Sequence, residues 1–281
     1  FDSKYYASAS FRRDGSSRFH KDNRWGNFWS VGASWRLTQE EFLQNVSWLN
    51  NLTLKASYGT TGNDNIGLYA WQSFYDLTYP NAGARGAVIT SLENKSVTWE
   101  KTGKFNLGVD ATMFDSRLNA SIEFYYNKVS DMLLSYPMAM STGFSGYNAN
   151  VGSMRNRGLE VSIKGVIFNN TNLYWDLGIM GAFNQNKVLS LTEESNQIVG
   201  GAQIIKEGFP LYTWYMSKQA GVDPATGKQL YYAYESMDDN GNVTGEYITE
   251  DYTVASKCKY FQGSRQPKFN GSISTSLRIF K

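Results

Sequence analysis

The chain has one cysteine, one histidine and five prolines in 281 residues, and each scarcity closes off a class of protein. A lone Cys258 cannot form an internal disulfide, so a disulfide-stapled scaffold is excluded. His20 is the single histidine and lies in a polar loop, which leaves a Ser-His-Asp triad or a His-based metal site without support. A net charge of +2 gives no electrostatic case for nucleic acid as a partner. No apolar run approaches the roughly 18 residues a transmembrane helix needs. The opening Phe1-Asp2-Ser3-Lys4-Tyr5 carries neither an initiator methionine nor a charged-then-apolar leader. The missing helix does not exclude a membrane. A barrel strand crosses with about 9–11 residues and shows lipid only one face.

What the chain does have is aromatics at 15%, Gly at 26 and hydrophobic residues at 41%, a composition that leans all-β and is too apolar for a disordered chain. Period-two alternation recurs from end to end. Trp29, Val31, Ala33, Trp35 and Leu37 alternate with Phe28, Ser30, Gly32, Ser34 and Arg36. Phe105, Leu107, Val109, Ala111 and Met113 alternate with Lys104, Asn106, Gly108, Asp110 and Thr112. Similar segments begin at Tyr5, Leu52, Leu118, Leu159, Leu173 and Phe269, and weaker ones cover Leu211–Ala220 and Gln229–Glu235. Together they predict about ten strands.

Three features favour lipid over a soluble sandwich. The clear strands run about 9–12 residues, against the usual 5–6 of globular sheets. Mid-strand charges such as Lys55, Asp110, Glu123, Glu160 and Asp176 all fall on the face opposite the apolar one, where a cation at mid-bilayer would otherwise cost roughly 2–4 kcal/mol. That opposite face is rich in Ser, Gly, Asn and Thr, as a wet lumen tolerates. Connections alternate in length. Phe114–Arg117, Asn169–Asn172 and Asp223–Lys228 are short. Arg13–Asn27, Thr60–Trp99, Lys128–Arg157, Gln185–Pro210 and Ser236–Pro267 are long. Thr38–Asn50 is expected on the short side, with room for a helical turn. The pattern predicts an all-β, antiparallel transmembrane β-barrel segment with short periplasmic turns and long extracellular loops.

No enzyme, cofactor or metal site is expected. Asp14-Gly15-Ser16-Ser17-Arg18 lacks the lysine and following helix of a phosphate loop and reads as a β-loop. Asp238-Asp239-Asn240-Gly241-Asn242 resembles part of a calcium loop, but position 249 is Thr where a bidentate Glu is required, so a turn is the reading. A glycosidase would need two carboxylates across a cleft, and spacing nominates no pair.

Several local sequences resemble the SusC/RagA family of TonB-linked outer-membrane transporters. They are Phe11-Arg12-Arg13-Asp14-Gly15-Ser16-Ser17-Arg18-Phe19 followed by Trp25–Leu37, Trp48–Asp64, Trp99-Glu100-Lys101 running into Phe105–Asp110, and Asn150–Glu160. Beyond Glu160 the resemblance is looser, through Gly208-Phe209-Pro210 and Gly221–Gly227. It implies a barrel of about 22 strands occluded by an N-terminal plug. It also implies a SusD-like surface lipoprotein as lid, energy from the TonB-ExbB-ExbD complex, and oligosaccharide or peptide substrates. No plug or TonB-contacting segment is found in the chain. Residues 1–281 are therefore expected to form a partial barrel domain of an outer-membrane protein of Bacteroidetes-type bacteria, with lipid around it.

Aromatic faces stack on sugar rings, so the loop aromatics are the candidate substrate contacts. Trp71, Phe74 and Tyr75, flanked by Tyr69 and Tyr79, form the densest group. Tyr147 with Asn148 and Asn150 is a second. The alternative is that these side chains anchor long loops to one another. A secreted, soluble carbohydrate-binding β-protein is the alternative function.

Overall fold

The computed structural model describes residues 1–192 and 196–279. Eight long strands form one up-and-down sheet in chain order. They are β1 (Tyr5–Gly15), β2 (Trp25–Arg36), β3 (Leu49–Asn63), β4 (Glu100–Met113), β5 (Leu118–Ser130), β6 (Ser153–Asn169), β7 (Leu173–Ser190) and β8 (Phe269–Ile279). Among the described residues β1 and β8 do not pair, so the sheet is an open wall.

The register carries the alternation across strands. One transverse row reads Ala7, Ala33, Ala56, Leu107, Phe124, Leu159, and the adjacent row reads Ser8, Gly32, Ser57, Asn106, Tyr125, Gly158. Because the side-chain period is two, a slip of one residue would put polar groups on the apolar face of every strand. The apolar face is uncovered: Val31 is 48% exposed, Ile122 50% and Ile273 76%. A soluble sandwich would bury these positions under a second layer, and among the described residues of the wall none covers them.

The link between β2 and β3 contains the expected helical turn, a 3-10 turn at Leu37–Gln39. Just beyond it, the Glu40 carboxylate accepts hydrogen bonds from Tyr5 Oη at 2.6 Å and Trp35 Nε1 at 2.9 Å, with Lys4 Nζ at 3.5 Å. These bonds, that from Tyr5 foremost, hold the Glu40 pKa below the usual carboxylate value. Tyr5 and Trp35 stack at 6.2 Å, so the short-turn end of the first hairpin is pinned by an aromatic pair and one acid.

The wall has eight strands where about ten were predicted. Leu211–Ala220 and Gln229–Glu235 belong instead to a second compact unit, Ser190–Pro267, carried by the connection from β7 to β8. Its strands are short. Gln197–Gly200, Gln203–Lys206, Thr213–Ser217 and Lys259–Ser264 make one sheet, and Gln219–Val222, Gln229–Ala233 and Tyr247–Thr249 another. Pieces of 4–6 residues in the first sheet cannot cross a bilayer. This unit has its own core, in which Ala233, Cys258 and Tyr260 are buried beneath Tyr232, Tyr234, Val243 and Val254. Burial pushes the Tyr234 phenol up to about 12, and its hydroxyl donates to Lys259 O at 2.9 Å. Asp223–Lys228 is a hairpin turn of this unit, not a turn of the wall.

Candidate functional site

Two features of the wall can handle a solute: its polar face and the loops at one end of it. On the polar face, Lys55 Nζ meets Asp110 Oδ2 at 2.6 Å, and Ser121 Oγ donates to the same carboxylate at 2.8 Å. Lys164 pairs with Asp176 at 3.6 Å. Ser10 and Ser30 share a hydrogen bond of 2.7 Å across β1 and β2, and Tyr125 Oη donates to Asn184 at 2.9 Å. Glu123 stands directly opposite Glu160 in the β5–β6 register, with no ion pair for either among the described residues. The face thus presents fixed charges of both signs among hydroxyls and amides.

At the long-loop end the chain builds a collar. Phe28 has a polar-face position in β2, yet it is only 1% exposed, because Phe19, Val97 and Trp99 form a buried cluster with it and Ile66 and Leu133 pack alongside. Phe19 and Phe28 lie 5.6 and 5.4 Å from the Trp99 ring. Gly26 and Gly62 leave room for this packing: a Cβ on Gly26 would stand 2.6 Å from Phe28 Cζ, and one on Gly62 would collide with the same ring.

Hydrogen bonds tie the loops around this cluster. Ser16 Oγ donates to Asp64 at 2.7 Å, and the Arg18 guanidinium donates to the carbonyls of Asp64 and Ile66. Trp99 Nε1 donates to Arg24 O at 2.9 Å. Asn150 closes the collar. Its amide donates to Thr98 O and Asp131 O, each at 2.9 Å, and its carbonyl accepts from Thr98 N at 2.8 Å. Side chains paired with backbone groups in this way satisfy loop carbonyls and N–H groups that strand pairing leaves open, while Arg24 Nε and Trp71 Nε1 are buried without a hydrogen-bond partner among the described residues.

The family profile described as TonB dependent receptor-like, beta-barrel matches residues 1–273. The chain belongs to this family. Among relatives, this TonB-dependent receptor barrel is 37% identical over 222 residues to TonB-dependent receptor P39 of Formosa agariphila, covering 79% of the chain and 21% of that relative. It is 31% identical over 268 residues to TonB-dependent receptor SusC of Bacteroides thetaiotaomicron, covering 86% of the chain and 26% of SusC. The solved RagAB peptide transporter superposes with a TM-score of 0.87 at 34% identity, over 99% of the chain and 30% of that structure. The chain therefore spans less than a third of the length of these relatives. The receptor barrel lies in the outer membrane, and its uncovered apolar face is the one that physics assigns to lipid. That placement sets aside the secreted soluble alternative.

The motifs that carry the SusC/RagA resemblance supply many of the collar residues. Ser16, Arg18 and Phe19 come from the first, Gly62 and Asp64 from the second, Trp99 and Glu100 from the third, and Asn150 from the fourth. Glu100 receives Asn63 Nδ2 at 3.0 Å and Leu133 N at 3.1 Å.

The five candidate contact residues fall in two environments. Phe74 and Tyr75, 42% and 59% exposed, stand on the hairpin Phe74–Asn81/Ala84–Ser91. Trp71 and Asn148 are held together by Asn94, whose backbone N–H donates to Trp71 O at 3.0 Å and whose amide donates to Asn148 O at 2.8 Å. Tyr147 packs edge-on against Tyr136 at 5.7 Å in the hairpin Leu133–Pro137/Gly146–Asn150. Asn94 went unread in the sequence, where its one signal is Asn94-x-Ser96: its Oδ1 accepts from Ser96 Oγ at 2.6 Å and fixes the turn.

His20 lies in the polar loop, as read from the sequence, but is largely shielded from solvent. Its ring sits edge-on to Trp71 at 4.9 Å and near Asp22 at 3.2 Å, with a side chain 16% exposed. Asp238 behaves as the turn reading requires. Its carboxylate accepts from the backbone N–H groups of Asn240 and Asn242 and from the Asn242 amide, and these bonds hold its pKa low.

Proposed function

We propose that this chain is a partial barrel domain of a TonB-dependent importer, whose plug and remaining strands belong to the rest of the parent protein. It takes up an oligosaccharide or peptide too large for a porin. A SusD-like surface lipoprotein captures the cargo, and the TonB-ExbB-ExbD complex, acting on an N-terminal region outside this chain, opens the way. The observation that carries the reading is a wall with a charged, hydroxyl-rich polar face beneath a collar of loops tied to one another. Such a collar holds the mouth of the barrel in one shape for a partner and a cargo to meet.

Between the two cargo classes, the fixed charges of the inner face favour peptides, whose termini and side chains carry charges of both signs. Lys55, Asp110, Glu123 and Glu160 are the inner-face groups for such contacts. Phe74 and Tyr75 are the exposed aromatic contacts at the mouth. Trp71, Tyr147 and Asn148 shape the collar that presents them.

The test is deletion of the parent gene, followed by growth on single defined peptides and single defined glycans as sole nutrient. Loss of growth on peptides, restored by the intact gene but not by one whose TonB-contacting segment is removed, is expected. Loss confined to glycans would overturn the peptide preference, and unchanged growth on every nutrient would overturn import.

A further inference from the structure

The lipid-side face of the wall ends, at its long-loop border, in a row of cations that have no counterion among the described residues. Lys128 on β5 stands directly opposite Arg155 on β6. Arg157 Nε donates to Gln185 at 2.7 Å, and Asn186 donates to Asn156 at 2.7 Å. These two bonds set β7 against β6 so that Lys187 falls beside Arg155. Three cations thus stand abreast, with Arg157 one step below. The parity that places Tyr126, Phe124 and Ile122 on the apolar face places Lys128 there too, and Arg155 and Arg157 share it with Leu159.

Like charges directly opposite on a sheet repel, so anions set against the row would stabilise it. Among the described residues none is supplied by the chain. The outward positions of β5, β6 and β7 at this level hold no Asp or Glu. None of the four cations is in an ion pair among the described residues, and Arg155 Nε is buried without a hydrogen-bond partner.

The height of the row identifies the partner. From Leu118 to Lys128, a rise of about 3.4 Å per residue at a tilt of about 40° climbs roughly 26 Å, the height of an outer-membrane apolar band. Directly below the row are Tyr126 and, across the sheet, Phe105 and Tyr58, all on the lipid side. Aromatics of this kind mark the border between acyl chains and headgroups. The cations therefore lie at headgroup level of the outer leaflet, whose glycolipids carry phosphates. At the short-turn end, the same face of β4 to β7 finishes in Met113, Leu118, Ile167 and Leu173 without a cation.

We infer that Lys128, Arg155, Arg157 and Lys187 form a binding surface for the phosphate groups of outer-leaflet glycolipid. Arg supplies paired N–H donors to phosphate oxygens and Lys supplies point charge. The bound lipid neutralises the row and fixes the depth and rotation of the barrel in the membrane.

The intact transporter, in nanodiscs containing either phosphorylated lipid A or the same lipid after enzymatic removal of its phosphates, tests this by native mass spectrometry. The wild type is expected to retain the phosphorylated lipid about tenfold better, with Lys128→Gln/Arg155→Gln abolishing the preference. Lys104→Gln, a cation on the polar face, is expected to keep it. Correct insertion is read independently from heat-modifiable gel mobility. If the double variant fails to insert, Arg157→Gln and Lys187→Gln singly are each expected to lower the preference about threefold. Equal retention of the two lipids by the wild type, or an undiminished preference in inserted variants, would overturn the proposal. So would loss of a protein partner with the lipid preference intact, since the row would then belong to that partner.

Discussion

Strand β5 runs 13 residues with one apolar and one polar edge, whereas Gln229–Ala233 in the Ser190–Pro267 unit runs five. In the first, Ile122 and Phe124 remain uncovered on one face while Ser121 and Glu123 line the other. In the second, Ala233 is fully buried and Tyr232 packs onto the same core. The comparison separates two ways of stabilising a strand. A wall strand is held by neighbours on both sides and by lipid on one face, so its pattern must persist across the whole bilayer. A strand of the inserted unit is held by a small protein core, so it needs only a few well-placed residues and can change sheets at Lys218.

The comparison can be broken most sharply in the inserted unit. Tyr260→Ala removes a side chain 7% exposed from its core. A loss of roughly 3–5 kcal/mol is expected for such a deletion. Limited proteolysis should then cut within 190–267 while the wall resists. Cleavage of both would show that the two regions do not stand independently. Next comes the wall. Val109, opposite Ile122 and midway along the apolar band, should lose roughly 2–4 kcal/mol on replacement by Arg. Refolding into vesicles should be impaired for Val109→Arg and nearly normal for Ser30→Arg, which points to the polar side.

A smaller effect is expected in the collar. Gly62→Ala forces a methyl into the Phe28 and Trp99 rings and should cost roughly 1–3 kcal/mol of local stability. Faster hydrogen exchange at Phe19 and Val97, with exchange in mid-wall strands unchanged, is the readout. The smallest effect is at Glu40. Its folded pKa is depressed, so the stability it contributes is present above its unfolded value of about 4.3 and is lost as pH falls through the lower folded value. Glu40→Gln should remove that acid-side dependence from the pH profile of unfolding, and an unchanged profile would discount the Tyr5 and Trp35 bonds.

The wall was legible in the sequence because lipid enforces a strict rule. Every charge in mid-strand had to fall on the face opposite residues such as Leu107 and Val109, and it did. Short turns at Phe114–Arg117 and Asn169–Asn172 likewise survive as the connections between β4 and β5 and between β6 and β7. The inserted unit was misread because Trp214, Tyr215, Tyr231 and Tyr232 are good strand formers in any setting, and propensity does not say which sheet a strand joins. The collar was visible only as motifs. Phe28 broke the polar alternation of β2, and Gly26 and Gly62 looked like ordinary strand glycines. Only the fold brings these three together with Trp99. Loop aromatics were legible as a group, but Asn94, which holds Trp71 near Asn148, acts through backbone partners that no spacing announces.

The central claim is that the uncovered side of the wall is solvated by acyl chains. Single cysteines at Leu107 and Asn106, neighbours in sequence on opposite faces of β4, test it directly in a Cys258→Ser background of the intact parent protein reconstituted in bilayers. With an environment-sensitive label at each, quenching by lipid-borne bromine should act strongly at position 107 and weakly at 106, and aqueous iodide should do the reverse. Iodide reaching 107 while lipid bromine does not would contradict the account.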